Sequence, residues 1–378
     1  MKQKTIKNKG KVVVAMSGGV DSSVAAALLK QQGYEVIGVF MQFWYPTAGQ
    51  SDGDKAGQTY AENRCCSLES YNEAREVARL LAIPIYKVNF GKEFKKQIVD
   101  EFLAEYKAGH TPNPCVACNK FIKFDLLLKY AQTVFGADYL ATGHYVRLSH
   151  HARGGDKGGV GEIQYELHRP KDKTKDQTYF LYNLKPEQLK HLLFPLANYT
   201  KPQIRQLAQK LKLAVHAKPD SQEICFVGRS HLDFLKKYLK PKSGQIVDAK
   251  GKVLGEHQGL PLYTLGQRTG LGLSGGPWYV IGFGRAKNQL IVSRDSNDLK
   301  LLNQQIFFKS ANWLGGTPEL PLNCQAQIRY HARPLNCVVK KSGSRLLAEF
   351  KVPPQAAAAG QSIVFYDKDK LLGGGIIS

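Results

Sequence analysis

Apolar residues gather first at Val12-Val13-Val14-Ala15. A polar turn with two glycines, Ser17-Gly18-Gly19-Val20-Asp21-Ser22-Ser23, divides them from Val24-Ala25-Ala26-Ala27-Leu28-Leu29-Lys30. That order predicts strand, tight turn and helix. A second apolar strand is expected over 35–41, and the polar, glycine-rich stretch 46–64 reads as a surface loop. Ala74, Val77, Ala78 and Leu81 fall at i, i+3, i+4 and i+7, one face of a helix, and 84–90 is a third strand. Phe94, Ile98 and Phe102 repeat at i+4, predicting an amphipathic helix that ends near Gly109. After a loop over 110–119, Phe124, Leu127, Leu128 and Ala131 make another helical face, and a fourth strand is expected over 138–148. Strands alternating with helices of this length predict an α/β domain, a Rossmann-like parallel sheet with helices on both faces. Ligands of such sheets sit at the carboxyl ends of the strands, where the Ser17 turn lies.

Segment 150–162, with five glycines, reads as a flexible hairpin or insertion. Beyond Pro219 helical patterns largely stop. Short β-rich runs take over between Gly, Pro and Asn, at 244–247, 278–281, 289–292, 326–330 and 362–365. They predict two small β-rich domains, a central one and a C-terminal β-barrel. The expected division is 1–218, 219–300 and 301–378, with a boundary region at 307–312.

A chain of 378 residues exceeds one ordinary core, in keeping with two or three domains. Lys and Arg number 53 against 31 Asp and Glu, a formal charge of +22 that repels itself unless a polyanion is the partner. Nucleic acid or an anionic membrane surface is therefore implied. No apolar run approaches the roughly 18 residues needed to span a bilayer. Residues 1–11 hold five lysines but no arginine and no apolar core, so neither a secretory signal nor a transit peptide is expected. The seven cysteines are Cys65, Cys66, Cys115, Cys118, Cys225, Cys324 and Cys337. An odd count without a signal argues for reduced thiols in the cytoplasm rather than a disulfide scaffold.

Gly18 and Gly19 can take positive φ at no Cβ cost and let a phosphate approach the backbone. Successive N–H groups, the positive helix end and the hydroxyls of Ser17, Ser22 and Ser23 would then face the anion. The turn lacks both the Gly-x-x-x-x-Gly-Lys-Ser/Thr of a Walker loop and the Gly-x-Gly-x-x-Gly of a dinucleotide fold. Cys118 closes the loop His110-Thr111-Pro112-Asn113-Pro114-Cys115-Val116-Ala117-Cys118, where two prolines stiffen the chain ahead of a helix. A thiolate before a helix is stabilised by the dipole, below the ordinary pKa of ~8.5. Cys225, behind the polar turn at Asp220-Ser221-Gln222-Glu223, reads on its own as a core thiol, and spacing does not pair it with Cys118. Cys115-x-x-Cys118 is one half of a zinc-site pattern, and structural sites use two such pairs. With Cys65, Cys66 and Cys225 it could hold zinc or an iron–sulfur cluster, an alternative that predicts brown colour or stoichiometric metal. The main expectation is no metal-ligand set. Cys324 and Cys337 fall in β patterns and read as packing.

The Ser17 turn resembles the SGGxDS loop of the PP-loop ATP pyrophosphatases. That turn, Asn113-Pro114-x-x-x-Cys118-Asn119, Ala141-Thr142-Gly143-His144-Tyr145, Lys175-Asp176-Gln177-x-Tyr179, the stretch from Asp220 to Phe226, and Tyr263-Thr264-Leu265-Gly266-Gln267-Arg268 occur in a shared order. It is the order seen in the bacterial tRNA 2-thiouridylases (the MnmA family, TrmU in mitochondria), which the chain resembles over nearly its whole length. The resemblance implies an ATP-dependent enzyme that replaces the 2-oxygen of the wobble uridine with sulfur after adenylating that oxygen. By position it implies a persulfide on Cys225, with Cys118 as the nucleophile that releases the sulfur or closes a disulfide with Cys225. Ala15, Met16, Ser17, Gly18, Gly19, Val20, Asp21, Ser22, Met41 and Gly143 would hold ATP, with Mg²⁺ following from ATP chemistry. Asn113, Pro114 and Cys115 would lie beside the target base; His144, Lys175, Asp176, Gln177, Arg329, Tyr330 and Gln361 would meet the tRNA. Many family members carry Asp where this chain has Cys115, so the acid/base role considered for that Asp is absent here, taken by a thiol, or unnecessary.

The implied partners are tRNA and a persulfide-donating protein (a cysteine desulfurase or sulfur relay protein), with no membrane and a monomeric chain. A different PP-loop synthetase, adenylating a small carbonyl substrate, would share the turn but need neither Cys118 nor Cys225, and would leave the charge of +22 unexplained. A non-catalytic RNA-binding protein would tolerate loss of both cysteines.

Overall fold

Val12, Val13 and Val14 are all fully buried because their strand runs through the middle of a parallel sheet covered on both faces. A computed structural model describes residues 9–44, 67–153, 162–220, 224–227, 230–298 and 302–378. The expected loop 46–64, Cys65, Cys66 and the tip of the expected hairpin at 154–161 lie outside the described residues. The chain gathers into two units: Met1–Ile98 with Cys115–Arg229 and Asp369–Leu371, and Val99–Pro114 with Ser230–Lys368 and Leu372–Ser378.

In the first unit β1 (Lys11–Ala15) pairs in parallel with β2 (Glu35–Gln42), Val12 opposite Val36 and Ala15 opposite Val39. β3 (Ile85–Asn89) continues the sheet beyond β2, and β4 (Tyr139–Ala141) flanks the other side of β1. The hairpin β5 (Arg147–Arg153) and β6 (Glu162–His168) follows, and β7 (Leu192–Leu193) completes the order β3-β2-β1-β4-β7. Val12 and Val14 share one cluster with Val24, Ala25 and Leu28 of helix Val20–Gln31, Ala74 and Val77 of helix Leu68–Leu80, and Ile204 and Ala208 of helix Lys201–Lys210. Fully burying each such Val or Leu stabilises the fold by roughly 1.5–3 kcal/mol. Phe94, Ile98, Phe124 and Leu127 are buried as their helical spacing requires.

The expected strand over 138–148 divides in two. β4 stops at Ala141, where Thr142-Gly143-His144 leaves the sheet, and Arg147 opens the separate hairpin. Helix Lys201–Lys210 has no counterpart among the sequence expectations, although Thr200-x-x-Gln203 is a capping-box pattern. The Thr200 N–H donates to Gln203 Oε1 at 2.9 Å.

In the second unit Phe102 and Tyr106 of helix Glu101–Lys107 meet His231 and Phe234 of helix His231–Leu239 in edge-to-face ring contacts. A helix thus persists beyond Pro219, where helical patterns were expected largely to stop. The four-stranded sheet uses β8 (Gly244–Asp248), β9 (Val253–His257), β10 (Tyr279–Gly284) and β11 (Gln289–Ser293) in the order β10-β11-β8-β9. The six remaining strands are β12 (Gln305–Trp313), β13 (Leu322–Gln327), β14 (Leu335–Ser342), β15 (Arg345–Phe350), β16 (Ser362–Asp367) and β17 (Lys370–Ile377). They run in the order β12-β15-β14-β13-β16-β17, and the pairing of β12 with β17 closes them into a barrel. Ile306, Val339, Ala348, Ile363 and Phe365 fill its core. The boundary expected at 307–312 is the interior of β12, its apolar and aromatic residues serving the barrel wall.

Candidate functional site

The Ser17 turn joins β1 to helix Val20–Gln31, as its sequence predicts. Of its two glycines only Gly18 takes positive φ, at +72°; Gly19 is extended and is the helix N-cap. No side chain caps this helix. The hydroxyls of Ser22 and Ser23 instead donate back to the Gly19 carbonyl, at 3.1 and 2.9 Å. They leave the first-turn N–H groups to an incoming anion. Ser17 is exposed, and its N–H donates to Ser22 Oγ at 3.2 Å. A Cβ on Gly18 would stand 2.2 Å from the Ser70 carbonyl oxygen. Gly18→Ala should therefore destabilise the fold by about 2 kcal/mol in urea unfolding, strain and clash together; an unchanged midpoint would show that the turn can relax.

Ala15 and Met16 are buried at the end of β1, Val20 is buried in the helix, and Met41 is half-buried near the end of β2. Gly143 approaches the turn so closely that a Cβ there would meet the Ser22 nitrogen at 2.8 Å and Asp21 Cβ at 3.0 Å. These expected nucleotide-holding residues are thus gathered at the carboxyl ends of neighbouring strands.

Asp21 leads into a charge network that sequence spacing did not reveal. Lys201 Nζ donates to both Asp21 carboxylate oxygens, at 2.8 and 2.7 Å, and lies 2.7 Å from Asp220 Oδ1. The Lys201 residue is only 7% exposed, so its charge survives burial by being shared between two carboxylates. The Tyr145 hydroxyl donates to Asp21 at 2.8 Å, and burial together with the Asp21 charge pushes that phenol far above its usual range. Lys175 donates to Asp220 at 2.7 Å and Arg205 at 3.2 Å. Burial would raise the Asp220 carboxyl, but the hydrogen bonds from Lys175 and Lys201 outweigh it and hold the group below the ordinary range. Lys218 reaches the Gly18 carbonyl at 3.3 Å and pairs with Glu73. The available signal for Lys201 was the capping pattern at Thr200, which places it in the first helical turn.

Lys175 and Gln177 are bonded inside this unit: Gln177 Oε1 accepts the Tyr145 N–H at 2.9 Å. Asp176 is buried, accepts from the Thr178 N–H and hydroxyl, and pairs with Arg169. His144 is buried between Phe124 and Phe194, with Nδ1 2.7 Å from Thr142 Oγ1. Its ring is therefore not presented to a phosphate backbone in this state. Burial first, and the Lys123 charge second, push its pKa well below the ordinary value. The unfolded chain then binds a proton that the fold excludes, so stability present above about pH 6.5 is lost as pH falls below it, by up to about 1.4 kcal/mol per pH unit. His144→Asn should flatten that limb of a melting-temperature profile; an unchanged slope would assign it to other groups.

Cys118 does not precede its helix. The helix begins at Pro114, and Cys118 opens a π-helical run, Cys118–Leu126, one turn further in. Such irregular turns recur at functional sites. Cys118 is buried, Cys225 half-buried and Cys115 exposed. The neighbouring Asn119 is buried; its Nδ2 donates to the Phe180 carbonyl at 3.3 Å while its Oδ1 has no partner among the described residues. Phe226, next to Cys225, packs edge-on against Phe94. Ser221, Gln222 and Glu223 lie outside the described residues. Among the described residues no three His, Cys, Asp or Glu side chains form a metal site, and no helix is long and apolar enough to cross a membrane.

In the second unit the segment leading to Asn113 and Pro114 is held at several points. Arg285 donates to the carbonyls of Ala108 and Gly109 at 2.7 and 3.1 Å, and Gln361 Nε2 to that of Thr111 at 2.7 Å. The Thr111 N–H donates to the Ala359 carbonyl at 2.8 Å. Gln361, expected to meet tRNA, thus braces the loop. Arg329 is exposed, its Nη2 on the Gln355 carbonyl at 2.5 Å, and the Tyr330 ring lies 3.9 Å from that of His331.

Residues 10–229 match the family model described as a tRNA methyl transferase HUP domain. Residues 232–294 match its PRC-barrel domain, and 303–377 an aminomethyltransferase β-barrel domain. A tRNA-specific 2-thiouridylase of Carboxydothermus hydrogenoformans is 46% identical over 374 residues, 97% of each chain. This chain belongs to the tRNA-specific 2-thiouridylase (MnmA) family. The family's namesake in Clostridioides difficile is 44% identical over 97% of this chain and 98% of its own. The 2-thiouridylase of Geotalea uraniireducens is 44% identical over 98% and 96%. The parallel sheet followed by two β-rich parts is the fold class the sequence led us to expect of a 2-thiouridylase.

Proposed function

We propose that this protein forms 2-thiouridine in tRNA, acting at the 2-oxygen of the wobble base. The observation that carries the reading is likeness over 97% of the chain to relatives named tRNA-specific 2-thiouridylase. The charge of +22 suits a polyanionic substrate.

The uncapped start of helix Val20–Gln31 fits a nucleotide phosphate, since among the described residues no side chain caps it and Ser17 is exposed beside it. When bound there, ATP supplies the AMP that makes the uridine oxygen a leaving group. Ser17, Gly18, Gly19, Val20, Asp21 and Ser22 would cradle the phosphates, with Ala15, Met16, Met41 and Gly143 around the rest of the nucleotide. Mg²⁺ accompanies ATP in this reading. Cys225 carries the incoming sulfur as a persulfide. Cys118 attacks the Cys225 sulfur in one of two orders. Before transfer, the S–S bond of the persulfide breaks, hydrosulfide is freed for the base and a Cys118–Cys225 disulfide remains. After the outer sulfur has itself bonded to the base and displaced AMP, the same disulfide forms as the thiolated base is released. Asn113, Pro114 and Cys115 lie beside the flipped base, whose unstacking costs a few kcal/mol. Lys175, Arg329 and Tyr330 face the tRNA, by phosphate contact and stacking. The catalytic part is 1–218, followed by 219–300 and 301–378. A cysteine desulfurase or sulfur relay protein loads Cys225, and the chain works as a cytoplasmic monomer.

The deciding experiment combines the protein with ATP, Mg²⁺, a persulfide donor and unmodified tRNA, and assays nucleosides by mass spectrometry. ATP-dependent 2-thiouridine supports the reading. Adenylation of a small carbonyl compound with no thiolated nucleoside would favour a different PP-loop synthetase.

A further inference from the structure

Cys324 on β13 and Cys337 on β14 stand directly opposite one another in an antiparallel ladder, between the pairs Asn323–Val338 and Gln325–Asn336. Their sulfurs are 3.7 Å apart. Gln325 and Asn336, the next pair along, point to the other face, where their side chains hydrogen-bond at 3.2 Å. Both sulfurs therefore join the packed side of the barrel, Cys337 inside the cluster of Ile306, Phe350 and Phe365 and Cys324 against its edge.

Packing alone accounts for one cysteine at such a position. Two in register place a pair of oxidisable atoms where a bond needs little motion. Directly opposed residues on neighbouring strands hold their Cβ atoms about 4.5–5.5 Å apart, and a disulfide spans about 3.5–4.5 Å between Cβ atoms. Small χ1 rotations and a slight approach of the strands suffice. We infer that Cys324 and Cys337 form a reversible thiol–disulfide site, whose oxidant is a hydroperoxide and whose reductant is a low-molecular-weight thiol.

Accessibility orders the steps. Cys337 is 4% exposed, whereas Cys324 is only half-buried, so Cys324 meets the oxidant. Cys337 donates its S–H to Cys324, and that hydrogen bond together with burial keeps the proton on Cys337, far above the usual thiol range. The Cys324 sulfur attacks one oxygen of the peroxide; the O–O bond breaks, water or an alcohol leaves, and a sulfenic acid forms. The Cys337 sulfur then attacks Cys324, the S–O bond breaks, and the Cys337 proton departs with the hydroxyl as water. Two thiols lose two electrons and the peroxide gains them. A partner thiol already in contact should outrun further oxidation of the sulfenic acid. The bond would tie together the two strands that run into the turn carrying Arg329 and Tyr330.

The test uses the reduced full-length protein with stoichiometric hydrogen peroxide, alkylation of remaining thiols, and non-reducing digestion with mass spectrometry. Exposed Cys115 serves as the internal control for oxidant delivery. The expected product is a pair of peptides joined through residues 324 and 337, two hydrogens lighter than the sum of its parts and separated again by dithiothreitol. In Cys337→Ser, Cys324 should instead be trapped by dimedone as a sulfenic acid. Recovery of both residues singly alkylated from wild-type protein whose Cys115 is oxidised overturns the proposal. So does accumulation of sulfinic acid at Cys324 in the wild type. The readout is made on the wild-type chain, so it does not depend on the variant folding.

Discussion

Cys118→Ser and Cys225→Ser should each reduce 2-thiouridine formation to background, a loss of at least about a thousandfold, or about 4 kcal/mol of barrier lowering. The reason is chemical. A hydroxyl can neither carry a persulfide nor attack one at neutral pH, so no remaining group supplies the sulfur atom or accepts its bond. Neither substitution changes charge, and serine is close to cysteine in volume, so tRNA affinity should stay within about threefold, under about 0.7 kcal/mol. ATP-dependent adenylation should also survive, because neither sulfur belongs to the Ser17 turn proposed to hold the nucleotide. Cys118 asks most of the fold: it is buried in an irregular helical turn beside the half-satisfied Asn119. A matched Cys115→Ser variant gives the comparison, since its sulfur is exposed. Full thiolation activity in either the 118 or the 225 variant would end the persulfide assignment, whereas loss of tRNA binding alone would make that cysteine structural.

The parallel sheet was legible because its strands are nearly continuous apolar runs: Val12 to Ala15 had to be buried on both faces, and they are. Helical faces such as Phe94 and Ile98, or Phe124 and Leu127, were equally plain in their spacing. Position 142–144 was harder, since Thr142-Gly143-His144 looks like strand continuation until the close approach of Gly143 to Ser22 and Asp21 forces the chain out of the sheet. The barrel strands were only partly legible. Short antiparallel strands carry a weak alternating signal, and the run at 307–312 was mistaken for a boundary because its role depends on pairing with β15 and β17. At the candidate site, the turn and Gly143 were readable as motifs. Lys201 and Arg205 were not, nor was the bond from Tyr145 to Asp21, because a long-range ion network leaves no local period: Lys201 lies 180 positions from the Asp21 it neutralises. The same holds for Gln361, whose partner Thr111 is 250 positions away.

Lys201→Ala should be the most damaging single change outside Cys118 and Cys225, the cysteines proposed to react. Three cations, Lys175, Lys201 and Arg205, face three carboxylates, Asp21, Asp172 and Asp220, and Lys201 touches all three acids, reaching Asp172 through its backbone N–H at 2.8 Å. Removing its ammonium leaves Lys175 and Arg205 to hold Asp220, but strips Asp21 of its cation and leaves it the Tyr145 hydroxyl. Breaking a fully buried pair costs about 3–5 kcal/mol. With the Asp21 side chain 31% exposed and that of Asp220 22%, water recovers part of the loss, so about 2–3 kcal/mol is expected in urea unfolding. Lys201→Met combined with Asp21→Asn should recover about half of that, since it removes the stranded charge together with its partner. The acid limb supplies a second readout. Asp220 is held below its ordinary value in the fold, so its contribution is present above the unfolded carboxylate range near pH 3.9 and fades as pH falls through that range and below it. Lys201→Ala should make that acid limb shallower, because one of the two lysines that depress the Asp220 carboxyl is gone. A loss below about 0.5 kcal/mol with an unchanged acid limb would mean that the network is already screened by solvent, and that the Ser17 turn is positioned by its backbone alone.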